Sequence, residues 1–265
     1  MLRRAKQKRQ KLRHVLRGLR RMYGDAVPPR TSKGAGLDML VEAMLSQNTN
    51  MRNAERGYRM LRRRFDSWTK VMNAPVSDVQ REIAICGLAR MRARRLQDLL
   101  RRIKSERGAL NIDHLAGEPM DAAFEYLMSF HGIGPKTAAF TLLFAFHRPI
   151  VPMDNGVLRV LRRLRMVRPK ARDLECERTI SPLVANGAHY ATHVLLFQHA
   201  KARCRPRNPK CDDCDLLPLC PHGQRVIRHR PPQDVEVLPK HPKPRRLALY
   251  VSAGVPKRAE EESMA

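Results

Sequence analysis

Tyr126-Leu127-Met128-Ser129-Phe130-His131-Gly132-Ile133-Gly134-Pro135-Lys136-Thr137-Ala138 decides how this chain is read. Two glycines separated by one apolar residue stand between two runs of helical periodicity. Glycine adopts positive φ without steric cost, and proline suits the first turn of a helix. The segment therefore predicts a tight helix-hairpin-helix with Ile133 turned into the core. Backbone N–H groups at the start of the second helix would then offer a seat for a phosphate. As a bare pattern it also fits an ordinary turn between two helices.

Working outward, Lys136 falls in the first turn of the second helix, where the positive end of the helix dipole disfavours a further cation. A lowered pKa would follow, more so with partial burial, and a neutral amine is what attack on a sugar carbon requires. The competing reading is a surface lysine that reaches a phosphate. Asp154, in Val151-Pro152-Met153-Asp154-Asn155-Gly156-Val157-Leu158, follows an apolar stretch and opens a helix. It fits an N-cap, and it equally fits a carboxylate that stabilises developing positive charge or orients a nucleophile.

Further along, Cys204, Cys211, Cys214 and Cys220 have the spacing C-x6-C-x2-C-x5-C. Four thiolates so close together imply a tetrathiolate zinc or a [4Fe–4S] cluster, and spacing alone does not choose. Disulfides are disfavoured in a reducing compartment. Cys86 and Cys176 lie in apolar contexts and read as small core residues.

The remaining chain is all-α in pattern, with scarce alternating runs and 5% aromatic residues. Leu12, Val15, Leu16, Leu19 and Met22 give an N-terminal helix one apolar face. After a break at 27–36, helices follow through Leu37–Leu45, Ala54–Leu61 and Leu96–Ile103, then at about 121–129, 136–146, 155–165, 175–185 and 189–201. Ser77-Asp78-Val79-Gln80 has the capping-box order. Arg92, Arg94, Arg95, Arg101 and Arg102 mark the polar face of one helix and read as solvated or as DNA contacts. Residues 224–265, rich in Pro, Lys and Arg, read as a disordered basic tail.

The 52 Lys and Arg against 25 Asp and Glu give a net charge of +27. Such an excess points to a polyanionic partner, and nucleic acid fits better than a membrane surface. No apolar run approaches the roughly 20 residues of a membrane span. The basic start lacks the apolar centre of a secretory signal, so the chain reads as cytoplasmic and nucleoid-associated.

Together these residues resemble the endonuclease III branch of the helix-hairpin-helix (HhH-GPD) DNA glycosylases, from about residue 10 to 223. Phe130 to Ala138 looks like that family's hairpin, with Lys136 in the place of its catalytic lysine and Asp154 at the family's interval. The cysteine spacing is similar to its cluster loop, so the resemblance implies [4Fe–4S] in place of zinc. Leu45-Ser46-Gln47-Asn48-Thr49 resembles the loop whose glutamine fills the gap left by an extruded nucleotide, and Gly87-Leu88 the loop that wedges a leucine beside the opposite base. Gly132, Ile133, Gly134 and Thr137 inherit DNA contact from the hairpin.

What the resemblance implies is two helical lobes flanking a DNA-binding groove. One is a helical barrel at 28–149; the other is an iron–sulfur lobe from 1–27 and 150–223. The implied partner is double-stranded DNA with damaged bases or abasic sites, and a monomer is the simplest expectation. The implied reaction is base excision with apurinic/apyrimidinic lyase chemistry. Two rivals stand beside it: a monofunctional glycosylase using water activated by Asp154, and a non-catalytic DNA-binding protein with a structural four-cysteine site. The family commonly has Thr-His after the aspartate and Leu-Pro before the hairpin glycine. This chain has Asn155-Gly156 and Phe130-His131, which puts substrate choice in question.

Overall fold

The computed structural model describes residues 2–32 and 34–229. Most of the segment 224–265 lies outside the described residues, but its start corrects the expectation of disorder, because 224–228 continue a helix. All regular structure among the described residues is helical. In chain order the helices are α1 (Leu2–Tyr23), α2 (Ala35–Leu45), α3 (Met51–Arg64), α4 (Trp68–Asn73), α5 (Val76–Glu82) and α6 (Ala89–Arg107). They continue as α7 (Met120–Met128), α8 (Pro135–Phe146), α9 (Asn155–Arg163), α10 (Asp173–Ile180), α11 (His189–Ala202) and α12 (Pro221–Arg228).

Packing divides the described chain into two units, 29–137 and the pair of segments 2–28 and 138–229. The later division falls inside α8. In the unit 29–137, α6 packs on α2, α4 and α5, around a core that includes Leu40, Leu61, Ile83, Leu96, Leu100 and Ile103. Each such fully buried side chain contributes about 1.5–3 kcal/mol. Asn50 and Ser67 cap α3 and α4, accepting from Asn53 N and Lys70 N. The capping box expected at Ser77 is absent, because α5 already starts at Val76 behind Pro75. Gly57 is buried where α3 meets the turn 84–86, and a Cβ there would come within 2.5 Å of Cys86 Sγ. Cys86 is thus a packed core residue.

In the other unit, α11 packs on α9 and α1. Leu12, Val15, Leu16, Leu19 and Met22 of α1 are all buried in its core, so the N-terminal helix is docked. At Gly18 a Cβ would meet Leu216 Cδ2 at 2.8 Å, so glycine lets α1 approach the loop that carries the cysteines. Among the described residues no helix is long and apolar enough to cross a membrane.

Glu42, on α2, is 3% exposed, and its Oε2 has no hydrogen-bond partner. Burial first, then the charges of Glu55 and Asp38, push its carboxyl up to about 7. An unfolded glutamate titrates near about 4.3. Between these values the folded protein holds a proton that the unfolded chain has released, so stability falls as pH rises through the interval. Glu42→Gln should abolish that slope and stabilise the protein at about pH 8 by about 1–3 kcal/mol. Urea melts of both proteins on either side of the interval check it.

Candidate active site and cysteine centre

The hairpin follows α7, whose last turn ends at Ser129. Phe130 and Ile133 are buried, and Ile133 N donates to Phe130 O at 3.0 Å. Gly132 has φ +85°, the left-handed conformation that favours glycine. The sequence pattern treats the two glycines alike, and the structure separates them. Gly134 does not use positive φ; a Cβ there would meet nothing within 4 Å, so its surface is open to a partner. Pro135 opens α8, and Lys136 follows it, exposed to solvent. Partial burial of the Lys136 head, one expected source of its activation, is therefore not present. Its place at a helix start is as expected.

Gln47 is half-buried just beyond α2. Its Nε2 donates to Gly132 O at 2.9 Å and to Thr137 Oγ1 at 3.2 Å, so its side chain is turned onto the hairpin. Leu88 is 60% exposed and left-handed (φ 50°), the residue before α6. For a residue with a Cβ this conformation costs about 1–2 kcal/mol. The strained turn presents a bare leucine to solvent, where a core residue would be buried. Gln47, Leu88, Met91 and Gly132 border one cavity of about 470 Å³, counting its open mouth.

The arginines of α6 correct the sequence reading of a solvated or DNA-facing strip. Arg92 is buried and donates to Gly87 O at 2.8 Å, Met44 O at 2.7 Å and Gln47 O. Arg95 lies against the hairpin, within 3.2 Å of where a Gly132 Cβ would stand. Arg102 donates to Ser129 O and Oγ, both at 2.8 Å, and covers the Phe130 ring at 4.6 Å. Arg94 and Arg101 are exposed. A signal was present: Arg92 is in helical phase with the buried Leu96, Leu99 and Ile103.

Asp154 is the N-cap of α9, its Oδ1 accepting from Val157 N at 2.8 Å. Its Oδ2 makes no hydrogen bond among the described residues. A Cβ at Gly156 would lie 2.9 Å from Ala200 Cβ and 3.0 Å from Asp154 Oδ1. The missing side chain at 156 is thus a packing requirement between α9 and α11. Phe130 is also a packed residue, under Arg102 and edge-on to Tyr126. Asn155 and His131 are exposed. Lys136 belongs to the unit 29–137 and Asp154 to the other.

Cys204, Cys211, Cys214 and Cys220 line one cavity of about 380 Å³, counting its mouth, together with His199 and His222. Arg163 Nη1 donates to Cys204 Sγ at 3.2 Å, and Gly223 N to Cys220 Sγ at 3.3 Å. A Cβ at Gly223 would stand 3.6 Å from Cys220 Sγ and 3.7 Å from Cys211 Sγ. Burial and neighbouring thiolates push Cys211 up to about 11; burial pushes Cys214 up to about 12 and raises Cys220. Burial, then Arg203 and Arg163, push His199 down to about 4, so it is neutral and its Nδ1 bonds the Tyr23 hydroxyl at 3.0 Å. His222 Nε2 is buried without a partner. Among the described residues no three His, Cys, Asp or Glu side chains converge into a single-ion site.

Among the described residues the protein combines an all-helical fold, a glycine hairpin that opens α8, a strained exposed leucine and four cysteines round one void. The sequence profile described as HhH-GPD superfamily base excision DNA repair protein matches residues 41–185. Endonuclease III of Bacillus subtilis is 33% identical over 152 residues, which span 57% of this chain and 65% of that protein. Endonuclease III of Thermotoga maritima is 25% identical over 196 residues, 72% of this chain and 87% of that protein. The solved structure of a trapped endonuclease III–DNA covalent intermediate, an estranged-adenine complex, aligns with a TM-score of 0.70 at 25% identity. It covers 83% of this chain and 99% of that one. The chain belongs to the HhH-GPD superfamily of base excision DNA repair proteins, in its endonuclease III-like glycosylase branch.

Gly156→Ala should force α9 and α11 apart or turn the Asp154 carboxylate. The expected loss is about 1–3 kcal/mol of stability together with lower base-release activity, read by thermal melts and single-turnover assays.

Proposed function

We propose that the chain removes damaged bases from double-stranded DNA and then cleaves the abasic strand. One observation carries this reading: Lys136 stands exposed in the first turn of α8, directly behind the glycine hairpin. A relative trapped as a covalent DNA intermediate needs a protein nucleophile, and a lysine at this position suits the role. Hairpin N–H groups and Gly134, Ile133 and Thr137 hold the backbone without reading sequence. Leu88 enters the stack beside the opposite base and Gln47 takes the space vacated by the flipped nucleotide, which requires its side chain to leave the hairpin. The Lys136 amine attacks C1′ through its lone pair, and the C1′–N bond breaks with its electron pair leaving on the base, which takes up a proton. The attached nitrogen gives up a proton, the C1′–O4′ bond opens with O4′ taking up a proton, the iminium so formed loses a C2′ proton, and the 3′ phosphate departs by β-elimination. Asp154, through its open Oδ2, stabilises the cationic stages and accepts the amine proton.

The same open Oδ2 supports a second reading, in which Asp154 activates water and Lys136 only holds phosphate. Borohydride added during reaction on abasic DNA separates the two. Wild type should give a covalent complex and Lys136→Ala none, with an unchanged melting temperature because Lys136 is exposed. Wild type that releases base without trapping or nicking would establish the monofunctional reading. Asp154→Asn keeps a competent cap and should slow base release by about a hundredfold or more.

We further propose that the four cysteines hold a [4Fe–4S] cluster. The donor set fits: four thiols face one void, two of them across Gly223, with an orphaned His222 nitrogen and the Arg163 and Gly223 N–H groups at its wall. Buried thiolates at this spacing are disfavoured without a cationic partner. When bound, the cluster supplies a covalent staple for 204–220 with no electron bookkeeping in the repair reaction. Chelating the iron should bleach visible absorption and lower the melting temperature. An unchanged melt after complete bleaching would refute a structural role.

A further inference from the structure

The reading above makes Gln47 and Leu88 the residues that enter the DNA stack, and the inference here rests on it. Both sit in loops whose backbones are unfavourable for ordinary residues: Asn48 at φ 51°, Gly87 at φ 72° and Leu88 at φ 50°. Such conformations persist only where the surroundings over-determine them. The surroundings here converge on one side chain. Arg92 is 7% exposed, and its guanidinium donates through Nε to Gly87 O at 2.8 Å, through Nη1 to Met44 O at 2.7 Å and through Nη2 to Gln47 O. Among the described residues it has no carboxylate partner; each of its hydrogen bonds is to a main-chain carbonyl.

A planar guanidinium fixes the direction as well as the length of each bond. Three carbonyls, one in the last turn of α2 and one in each of two loops, are therefore held at set distances from one rigid fork. One loop carries Gln47 and the other presents Leu88. Gln47 O lies past the end of α2, where carbonyls lack helical donors. We infer that Arg92 is a positioning residue for lesion recognition: it fixes the spacing of the Gln47 and Leu88 loops before DNA arrives, so that both enter the stack at one site. It touches no DNA in this role, and its loss should spare phosphate contacts while degrading discrimination.

The test compares full-length protein with Arg92→Met, Arg92→Lys, Leu88→Ala, Gln47→Ala and the Arg92→Met/Leu88→Ala pair. The probes are a duplex with a stable abasic analogue, its undamaged counterpart, and the abasic duplex with 2-aminopurine opposite the lesion. Arg92→Met should lower the ratio of the two dissociation constants by about tenfold, equivalent to about 1.4 kcal/mol, and blunt the 2-aminopurine signal. Binding to undamaged DNA should move by less than about threefold. Arg92→Lys, a point donor that cannot bridge three carbonyls, should fall between. Because Arg92 acts through Leu88, adding Leu88→Ala to Arg92→Met should cost less than about twofold more.

Retained discrimination in Arg92→Met overturns the inference. So does a parallel fall in both affinities tracking a lower melting temperature, or full multiplication of the two losses. If Arg92→Met does not fold, Arg92→Lys carries the same comparison, and wild-type discrimination there is also fatal. Failure of the parent reading looks different: Leu88→Ala and Gln47→Ala would each leave discrimination intact.

Discussion

Carbonyl groups at the ends of helices have no donors within their own helix, and buried ones must find them elsewhere. In the unit 29–137 that constraint is met at three helix ends from one helix. Helix α6 sends Arg92 to Met44 O in the last turn of α2 and Gln47 O beyond it, Gln97 to Val71 O and Ala74 O at the end of α4, and Arg102 to Ser129 O at the end of α7. Two of the three donors are cations, which the negative end of a helix dipole favours. The loops that leave these helix ends carry Gln47 and the hairpin, so the elements that would meet DNA are fixed by the side chains that complete the helices. Removing Gln97 would leave the buried Val71 carbonyl without its side-chain donor, at about 1–3 kcal/mol.

The other unit meets the constraint in the same way. Arg159 on α9 donates to Ala200 O at 3.0 Å and Cys204 O at 2.8 Å. Arg163, one turn on, takes Arg205 O at 2.8 Å and Pro206 O at 3.2 Å as well as the Cys204 sulfur. The helix that Asp154 caps is thus the helix that pins the start of the cysteine loop. A net charge of +27 consequently overstates the free positive surface. Part of the arginine content is internal scaffolding, placed where helix ends expose carbonyls, and part is paired with carboxylates, as Arg21 is with Asp215 and Arg168 with Glu175.

This double use of arginine also marks the limit of what could be read in advance. Helical periodicity located α1, α2, α3 and α6 to α11, because long amphipathic faces repeat the same signal several times. Helix α4 gave none, since six residues offer only Trp68 and Val71 as a buried pair. The Ser77 capping box failed because Pro75 fixes the preceding backbone and lets α5 begin at Val76. The hairpin, the cysteines, Lys136 and Asp154 were legible as chemistry. The guanidinium of Arg92 was not, because composition treats every arginine as surface, and only its phase with Leu96, Leu99 and Ile103 says otherwise. Gly156 was read as bearing on substrate choice, and it is a contact between two helices that a one-dimensional pattern does not reveal.

That last distinction bears on substrate. Four positions depart from the pattern of the resembled family, and packing accounts for two of them. Phe130 fills the core beneath Arg102, and Gly156 admits Ala200. Neither presents a group to a ligand. Asn155 and His131 are exposed, with no packing role that fixes their identity. Asn155 immediately follows Asp154, while His131 borders Gly132 in the hairpin. An amide and an imidazole both donate and accept hydrogen bonds, whereas Phe130 and Gly156 offer neither. Any difference in base preference between this chain and its relatives that comes from these four positions must therefore be carried by Asn155 and His131.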